Sequence, residues 1–238
     1  MKIALMASGP STYWYATRST GAVALLLLTA AVVLGVLDVR RVSSGRWPRF
    51  AIDSLHRSAS VLAIAFLAVH ILTAVLDSFA PISLLDAVIP FAGSYRPFWL
   101  GLGAVALDLL LAVAISSAVR KRIGFESWRA VHWLAYASWP IALVHGLGTG
   151  SDVKSWWLLA ITLACTAAVL AAVLARVIAV WPLNRGRRHA ALYTTGAFSL
   201  FLLVWLPLGP LGSEWARRSG TPASLLAGSH ASSASRAR

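Results

Sequence analysis

Four histidines lie inside long apolar stretches of this chain, and they occur as two pairs. His56 and His70 share one apolar stretch, and His132 and His145 share another. A polar side chain is costly to place in hydrocarbon, so a histidine within a membrane span indicates a function by default. A single histidine is explained more simply by a hydrogen bond to a neighbouring helix. Four of them confined to two stretches are much harder to explain in that way.

The spacing within each pair fits ligands at two depths. His56 and His70 are 14 residues apart, which is roughly 21 Å of rise on an α-helix and leaves the two rings about 40° apart around its axis. His132 and His145 are 13 residues apart, which is about 19.5 Å of rise. Both helices are predicted to run in the same direction across the membrane. We therefore expect His56 level with His132, and His70 level with His145.

Each level then offers one imidazole from each of two helices, as a haem iron ligated by two histidines in a helix bundle requires. Zinc needs ligands that converge on one point, and a proton relay needs acidic and polar neighbours, of which these spans have few. One detail does not fit, because 13 steps place His145 about 140° from His132 on a straight helix. Pro140 lies between them and is expected to kink or rewind the helix.

The composition indicates that lipid surrounds these helices. Of the 238 residues, 58% are hydrophobic and 12% are charged, against about 25% charged residues in soluble domains. Since about 20 mostly apolar residues suffice to cross a bilayer as a helix, we predict six spans. They are roughly 19–37, 53–76, 97–119, 128–148, 156–180 and 191–209. The predicted fold class is all-α, a polytopic membrane helical bundle of about six transmembrane helices.

The basic residues predict the orientation of the bundle. The net charge is +13, but Lys and Arg cluster at the ends of apolar runs, so nucleic-acid binding is not expected. Most of these clusters lie in the loops after the first, third and fifth spans, which the positive-inside rule makes cytoplasmic. The remaining loops and the N-terminal segment carry few basic residues. We expect a multi-pass protein of the cell (plasma) membrane with its N-terminus outside.

We expect three regions along the chain. They are an N-terminal segment (1–18), a six-helix transmembrane haem-binding domain (19–209) and a flexible C-terminal tail rich in Ser, Ala and Arg (210–238). The tail has no apolar period, so little structure is expected there. The single cysteine, Cys165, excludes iron–sulfur and thiolate zinc sites, which need several cysteines. Asp108, midway along the third span, is expected to hydrogen-bond a neighbouring helix or to accept a proton beside a haem or quinone.

The two histidine-bearing stretches resemble the ligand helices of the ferric reductase-like transmembrane domain. They read LHRSASVLAIAFLAVH (55–70) and WRAVHWLAYASWPIALVH (128–145). That superfamily includes ferric reductases, NADPH oxidases and the haem-binding membrane subunit of a bacterial methionine-sulfoxide reductase system. The resemblance covers roughly residues 15–180. Its most specific part is the arrangement of Trp128, His132, Tyr136 and His145.

The resemblance implies a b-type cytochrome with two haem b groups stacked across the membrane. It makes His56 and His132 the ligands of the inner haem iron, and His70 and His145 those of the outer haem iron. Electrons would move from a cytoplasmic donor to an outer acceptor of unknown identity. Superoxide-producing relatives use an arginine near the outer haem, which Arg18 would match. They also use a further histidine there, and its absence from this chain argues against oxidase activity.

Many relatives carry a cytoplasmic flavin and NAD(P)H domain after the last helix. No G-x-G-x-x-G follows a strand in this chain, so flavin is expected only on a separate partner, and the donor is a cytoplasmic flavoprotein reductase or a quinol. The chain is then the membrane redox subunit of an oxidoreductase without its own NAD(P)H/flavin domain.

Three arginines near the inner ends of the spans have two interpretations each. They either snorkel to lipid phosphates or pair with the propionates of the inner haem; these residues are Arg57, Arg129 and Arg176. Two other functions stay open for the chain as a whole. One is a quinol-linked cytochrome b subunit, and the other is a haem-free membrane scaffold or assembly protein whose histidines only pack helices.

Overall fold

The computed structural model describes residues 11–39, 49–150, 152–179 and 185–226, and within these ranges it contains helices and connections but no strand. The helices are α1 (Thr12–Val39), α2 (Arg49–Leu76), α3 (Leu84–Val88), α4 (Pro97–Ala118), α5 (Arg120–Ile123), α6 (Phe125–His132), α7 (Leu134–Thr149), α8 (Trp156–Ala179), α9 (Arg185–Leu208) and α10 (Trp215–Arg218). The predicted fold class, an all-α membrane bundle, is confirmed.

Five helices of the described part are long and apolar enough to cross a membrane. They are Thr12–Leu37, Phe50–Leu76, Pro97–Ala118, Trp156–Ile178 and Arg188–Leu208. These helices correspond to the first, second, third, fifth and sixth predicted spans. The first helix begins seven residues before the predicted span, because polar residues at a helix end are tolerated where it leaves the hydrocarbon.

The fourth predicted span, 128–148, is divided into two helices. The first of them, α6, ends at His132, and α7 begins two residues later, so the break is at Trp133. The amide of Tyr136 donates to the carbonyl of Trp133 at 3.1 Å, which is a tighter turn than that of an α-helix. Pro140, where a distortion was expected, lies inside α7. Because the α-helix is interrupted at Trp133, the angle of about 140° between His132 and His145, which assumes 13 steps of one straight helix, does not apply.

The histidine-bearing helices are each backed by a neighbour. Helix α1 packs along α2 and also contacts α7 and α8, while α4 packs along α7. Small buried side chains such as Ala31 and Ala104 allow membrane helices to approach closely. Between α1 and α7, the indole N–H of Trp139 donates to the hydroxyl of Thr29 at 2.9 Å. Helix α1 thus contacts both α2 and α7, which carry His70 and His145.

The segment after α9 folds over one end of the bundle. Its Gly220 carbonyl accepts a hydrogen bond from the amide of Arg96 at 3.0 Å, and the indole N–H of Trp215 donates to the Gly148 carbonyl at 3.2 Å. Little structure was expected after about residue 212, whereas the part described, to residue 226, contains α10 and these contacts. Composition alone does not show them, because they depend on Trp215 and on a buried arginine distant in sequence. Residues 227–238 lie outside the described part.

Candidate functional site: two facing histidine pairs

The four histidines meet in the structure as two pairs. His56 on α2 faces His132 at the end of α6, with ring centres 6.3 Å apart. His70 on α2 faces His145 on α7, with ring centres 6.5 Å apart. These are the pairings expected from the helical rise. We call them the His56–His132 pair and the His70–His145 pair.

Both separations fit an ion held between two rings. A bond from an imidazole nitrogen to a metal is about 2.0–2.1 Å long, so two rings on opposite sides of one ion have centres roughly 6 Å apart. Two imidazoles joined directly by a hydrogen bond would have centres roughly 5 Å apart. The observed rings are therefore too far apart for a direct hydrogen bond and suitably placed for a shared ion.

The histidines offer two ligands at each level, not three or more. Among the residues that the structure describes, no group of three or more His, Cys, Asp or Glu side chains comes together. A bare zinc ion requires about four protein ligands at a structural site and three at a catalytic site. Two opposed imidazoles instead suit an iron whose remaining ligands come from a macrocycle, as in haem.

Three of the four imidazoles are held by the backbone of a neighbouring helix. Their Nδ1–H groups donate to carbonyl oxygens, and the donor–acceptor pairs are His56 to Ala31 (2.9 Å), His70 to Thr17 (2.8 Å) and His145 to Trp99 (2.9 Å). Because a carbonyl only accepts, each of these rings carries its proton on Nδ1. The lone pair of Nε2 is then available to a metal, which is the usual arrangement of a histidine ligand.

The fourth imidazole, that of His132, is held in a different way. Its buried Nδ1 has no hydrogen-bond partner among the described residues. Its ring lies against that of Trp128, with centres 4.8 Å apart and planes at 32°. Trp128 also donates a hydrogen bond from its indole N–H to Ser117 (3.2 Å), and its ring contacts the ring of Phe125 and the guanidinium of Arg120, which lies 4.1 Å from the ring centre. The two pairs are therefore not equivalent.

Glycines of α1 and α4 lie where the three backbone-bonded rings approach. Gly35 faces His56, Gly21 faces His70 and Gly103 faces His145. Sequence reasoning missed these glycines, although a signal was present. Gly21 and Gly35 are 14 residues apart, the same interval that separates His56 and His70.

An apolar cavity of about 280 Å³ surrounds the His70–His145 pair. Helices α1, α2, α4, α7 and α8 line it, together with part of the connection between α2 and α4. Arg18, Asp77 and Asp86 are its charged lining residues. A mostly apolar space with a few polar or charged groups is typical of a ligand or cofactor site.

Arg18 lines the cavity beside the His70–His145 pair. Its side chain is only 16% exposed and forms an ion pair with Asp152. The guanidinium also lies over the ring of Trp14, 3.8 Å from its centre. These contacts hold the charge of Arg18 at the edge of the cavity.

The arginines near the other pair face outward. Arg57 pairs with Asp53 at 3.0 Å and Arg129 with Glu126 at 2.6 Å, and the arginine side chains are 76% and 55% exposed. Exposed pairs of this kind contribute about 0–1 kcal/mol, so they do not fix the arginines strongly. Arg176 lies 3.5 Å from the hydroxyl of Tyr136.

Asp108 lies on the exposed side of α4. No hydrogen bond or ion pair joins it to another residue in the part of the chain that the structure describes. Neither the expected helix-to-helix hydrogen bond nor a position beside a histidine pair is seen for this carboxylate.

The comparisons with known proteins give one match. The family model described as the ferric reductase like transmembrane component matches residues 20–143, just over half of the chain. The matched range contains His56, His70 and His132 and ends two residues before His145. No curated protein and no solved structure matches the chain.

Proposed function

We propose that this chain, which belongs to the ferric reductase-like transmembrane family, is an electron-transfer cytochrome of the membrane with two b haems. His56 and His132 hold the iron of the inner haem, and His70 and His145 hold the iron of the outer haem. The family match itself supports a membrane redox role. The haem number and the ligands are our inference from the two histidine pairs.

One observation carries this proposal, namely that two pairs of imidazoles face each other at the distance of a shared ion. Hydrogen bonds to backbone carbonyls leave Nε2 free on three of the four rings. A scaffold in which the histidines only packed helices would not need the rings opposed at this distance. The haem-free alternative therefore leaves the geometry unexplained.

The residues of the chain bind and orient the cofactors. When bound, haem iron supplies one-electron redox chemistry, and the protein sets its potential through ligands, hydrogen bonds, charge and burial. The Ala31, Thr17 and Trp99 carbonyls hold three of the ligand rings, and Trp128 packs on the fourth. Arg18 contributes a positive charge at the outer site.

The proposed direction of transfer rests on the charge pattern, and the proposed partner rests on the family resemblance. The basic loops face the cytoplasm by the positive-inside rule, so the N-terminus is outside the plasma membrane and the His56–His132 pair is nearer the cytoplasm. Electrons enter there from a cytoplasmic flavoprotein and leave at the His70–His145 pair to an outer acceptor. Arg57 and Arg129 would reach the propionates of the inner haem by giving up their weak surface pairs.

Proteoliposomes test this function. Ferricyanide is trapped inside, dithionite is added outside, and the loss of ferricyanide absorbance is followed. We expect rapid loss with the wild-type protein and with the control His189→Ala, whose histidine is exposed. His56→Ala and His70→Ala should slow the loss to the rate of protein-free liposomes, because each removes one ligand of a different pair. Equal rates with and without the wild-type protein would overturn the proposal.

The donor is tested separately on purified protein in detergent. Slow haem reduction by duroquinol, and fast reduction by a flavin reductase with NADPH, would support the flavoprotein-fed function. Fast reduction by duroquinol alone would favour the quinol-linked cytochrome b instead.

A further inference from the structure

The three backbone-bonded histidines share one local arrangement. In each case the carbonyl that accepts the Nδ1–H belongs to a residue four positions before a glycine of the same helix. The carbonyl and glycine are Thr17 and Gly21 for His70, Ala31 and Gly35 for His56, and Trp99 and Gly103 for His145. The arrangement occurs on two different helices and at both histidine pairs.

Helix geometry explains why position i+4 matters. In an α-helix the amide of residue i+4 donates to the carbonyl of residue i, so the two lie one above the other on the same face. A ring that approaches this carbonyl from a neighbouring helix therefore lies over residue i+4. A side chain there would occupy the space of the ring, and glycine leaves it open.

The space that each glycine leaves is measurable. A Cβ atom added at Gly103 would lie 2.5 Å from Cε1 and 2.6 Å from Nδ1 of His145. At Gly21 it would lie 3.0 Å from Cε1 of His70, and at Gly35 it would lie 3.3 Å from Cε1 of His56. The steric conflict is thus greatest at Gly103 and smallest at Gly35.

A glycine away from the histidines does not have this property. A Cβ added at Gly196 on α9 would meet nothing within 4 Å. Glycine at the three positions therefore leaves room for the rings, and Gly196, which is exposed, provides a matched control.

We propose that Gly21, Gly35 and Gly103 are positioning residues for the haem ligands. Each gives an imidazole access to a backbone carbonyl, and the hydrogen bond fixes the proton on Nδ1, sets the plane of the ring and turns Nε2 toward the iron. This proposal rests on the proposed haem function. It makes His132, which has no such carbonyl and glycine, the one ligand oriented by an aromatic ring instead.

The test is a set of glycine-to-alanine variants of the full chain, purified in detergent. Haem per chain is measured by pyridine haemochrome assay, ligand orientation by the low-spin ferric EPR signals, and potentials by redox titration. Gly103→Ala should retain the outer haem 10–100-fold more weakly, the usual loss when a hydrogen bond that orients a metal ligand is removed. Gly21→Ala should shift the EPR signal and potential of the same haem.

Gly35→Ala should alter only the inner haem, and by the smallest amount. At 3.3 Å the neighbouring ring needs to move by only a few tenths of an ångström. This variant therefore keeps the test decisive if Gly103→Ala fails to fold. Gly196→Ala should keep the wild-type EPR signals and potentials.

The outcomes separate this proposal from the function on which it rests. The role of the glycines alone would be overturned by the following result. The wild-type protein contains two haems, and Gly21→Ala and Gly35→Ala have the same EPR signals and potentials as the control Gly196→Ala. A wild-type protein that contains no haem would overturn the proposed function and this inference together.

Discussion

Two neighbouring residues of α1 act on the His70–His145 pair in different ways. Thr17 offers its backbone carbonyl to the Nδ1–H of His70, which makes the imidazole a stronger electron donor to a bound metal. Arg18 places a positive charge at the edge of the same cavity, where Asp152 pairs with it. A positive charge near a haem favours the reduced state, because reduction adds an electron. Arg18 and Asp152 should therefore tune the outer haem in opposite directions.

Substitutions of these two residues test the effect of charge. Arg18→Gln should lower the potential of the outer haem by tens of millivolts, on the order of 1 kcal/mol at an effective dielectric constant near 20. Asp152→Asn should raise it, since it removes the neighbouring negative charge. Redox titration followed in the α-band measures both shifts. The control is Arg57→Gln, which lies toward the other end of α2 from His70 and should leave the potential of the outer haem unchanged. Shifts of the same sign in Arg18→Gln and Asp152→Asn would contradict this effect of charge.

At the residue scale the sequence predicted the two histidine pairs but not the glycines beside them. His56, His70, His132 and His145 were identifiable because four histidines in apolar helices have few explanations. The glycines were harder to recognise, since a glycine in a membrane helix most often serves close packing. The 14-residue interval between Gly21 and Gly35 matches that between His56 and His70. This match can be interpreted only once α1 is known to pack along α2.

At the element scale the end of α7 is held by one buried cation. Arg96, which is 3% exposed, donates to the carbonyls of Gly148 (3.1 Å) and Thr149 (3.0 Å) and to the hydroxyl of Thr221 (2.9 Å). These carbonyls belong to the last turn of α7, which lacks partners within its own helix. Burial lowers the pKa of Arg96 from its ordinary value, and Tyr95 partly opposes this, but an arginine stays protonated in proteins.

Removal of Arg96 should therefore destabilise the fold. Arg96→Gln should reduce the free energy of unfolding by about 2–4 kcal/mol, because buried carbonyls lose charged donors. Thermal unfolding in detergent measures the loss, and release of the outer haem should accompany it, since His145 lies one turn away. Arg217→Gln, at an exposed position of α10, is the matched control. Equal stability of the two variants would show that Arg96 does not hold this end of α7.

The spanning helices could be predicted from the sequence, but their irregularities could not. Long apolar runs in 19–37 and 97–119 have few other solutions in a membrane, and the structure has helices there. The break at Trp133 was not predicted, because no glycine or proline marks that position. Both α6 and α7 pack against α4, and such tertiary contacts, like those of Arg96 with Gly148, Thr149 and Thr221, are not visible in the sequence.

At the scale of the whole molecule, orientation decides which pair receives electrons first. The basic loops predict that α5 faces the cytoplasm and that the connection between α3 and α4 faces outward. The only cysteine of the chain, Cys165, is 2% exposed. The wild-type protein therefore offers almost no background to a thiol reagent, and single introduced cysteines report on one position each.

Labelling with a membrane-impermeant maleimide tests this orientation. In intact cells, Ser94→Cys should react, because this exposed residue lies on the predicted outer side. Lys121→Cys, exposed on α5, should react only after the membrane is permeabilised. The unsubstituted protein is the control and should remain unlabelled in both cases. The reverse pattern would invert the direction of electron transfer that we propose.

The most direct test of the account is the haem content of the purified protein, measured with a reduced-minus-oxidised spectrum. We predict two b haems per chain in the wild type and in His189→Ala. Each single substitution of His56, His70, His132 or His145 by alanine should remove one haem and leave the spectrum of the other. His56→Ala and His132→Ala should both leave the spectrum of the outer haem. His70→Ala and His145→Ala should both leave the spectrum of the inner haem. A wild-type protein without haem, or one whose haem persists in all four variants, would contradict the central claim.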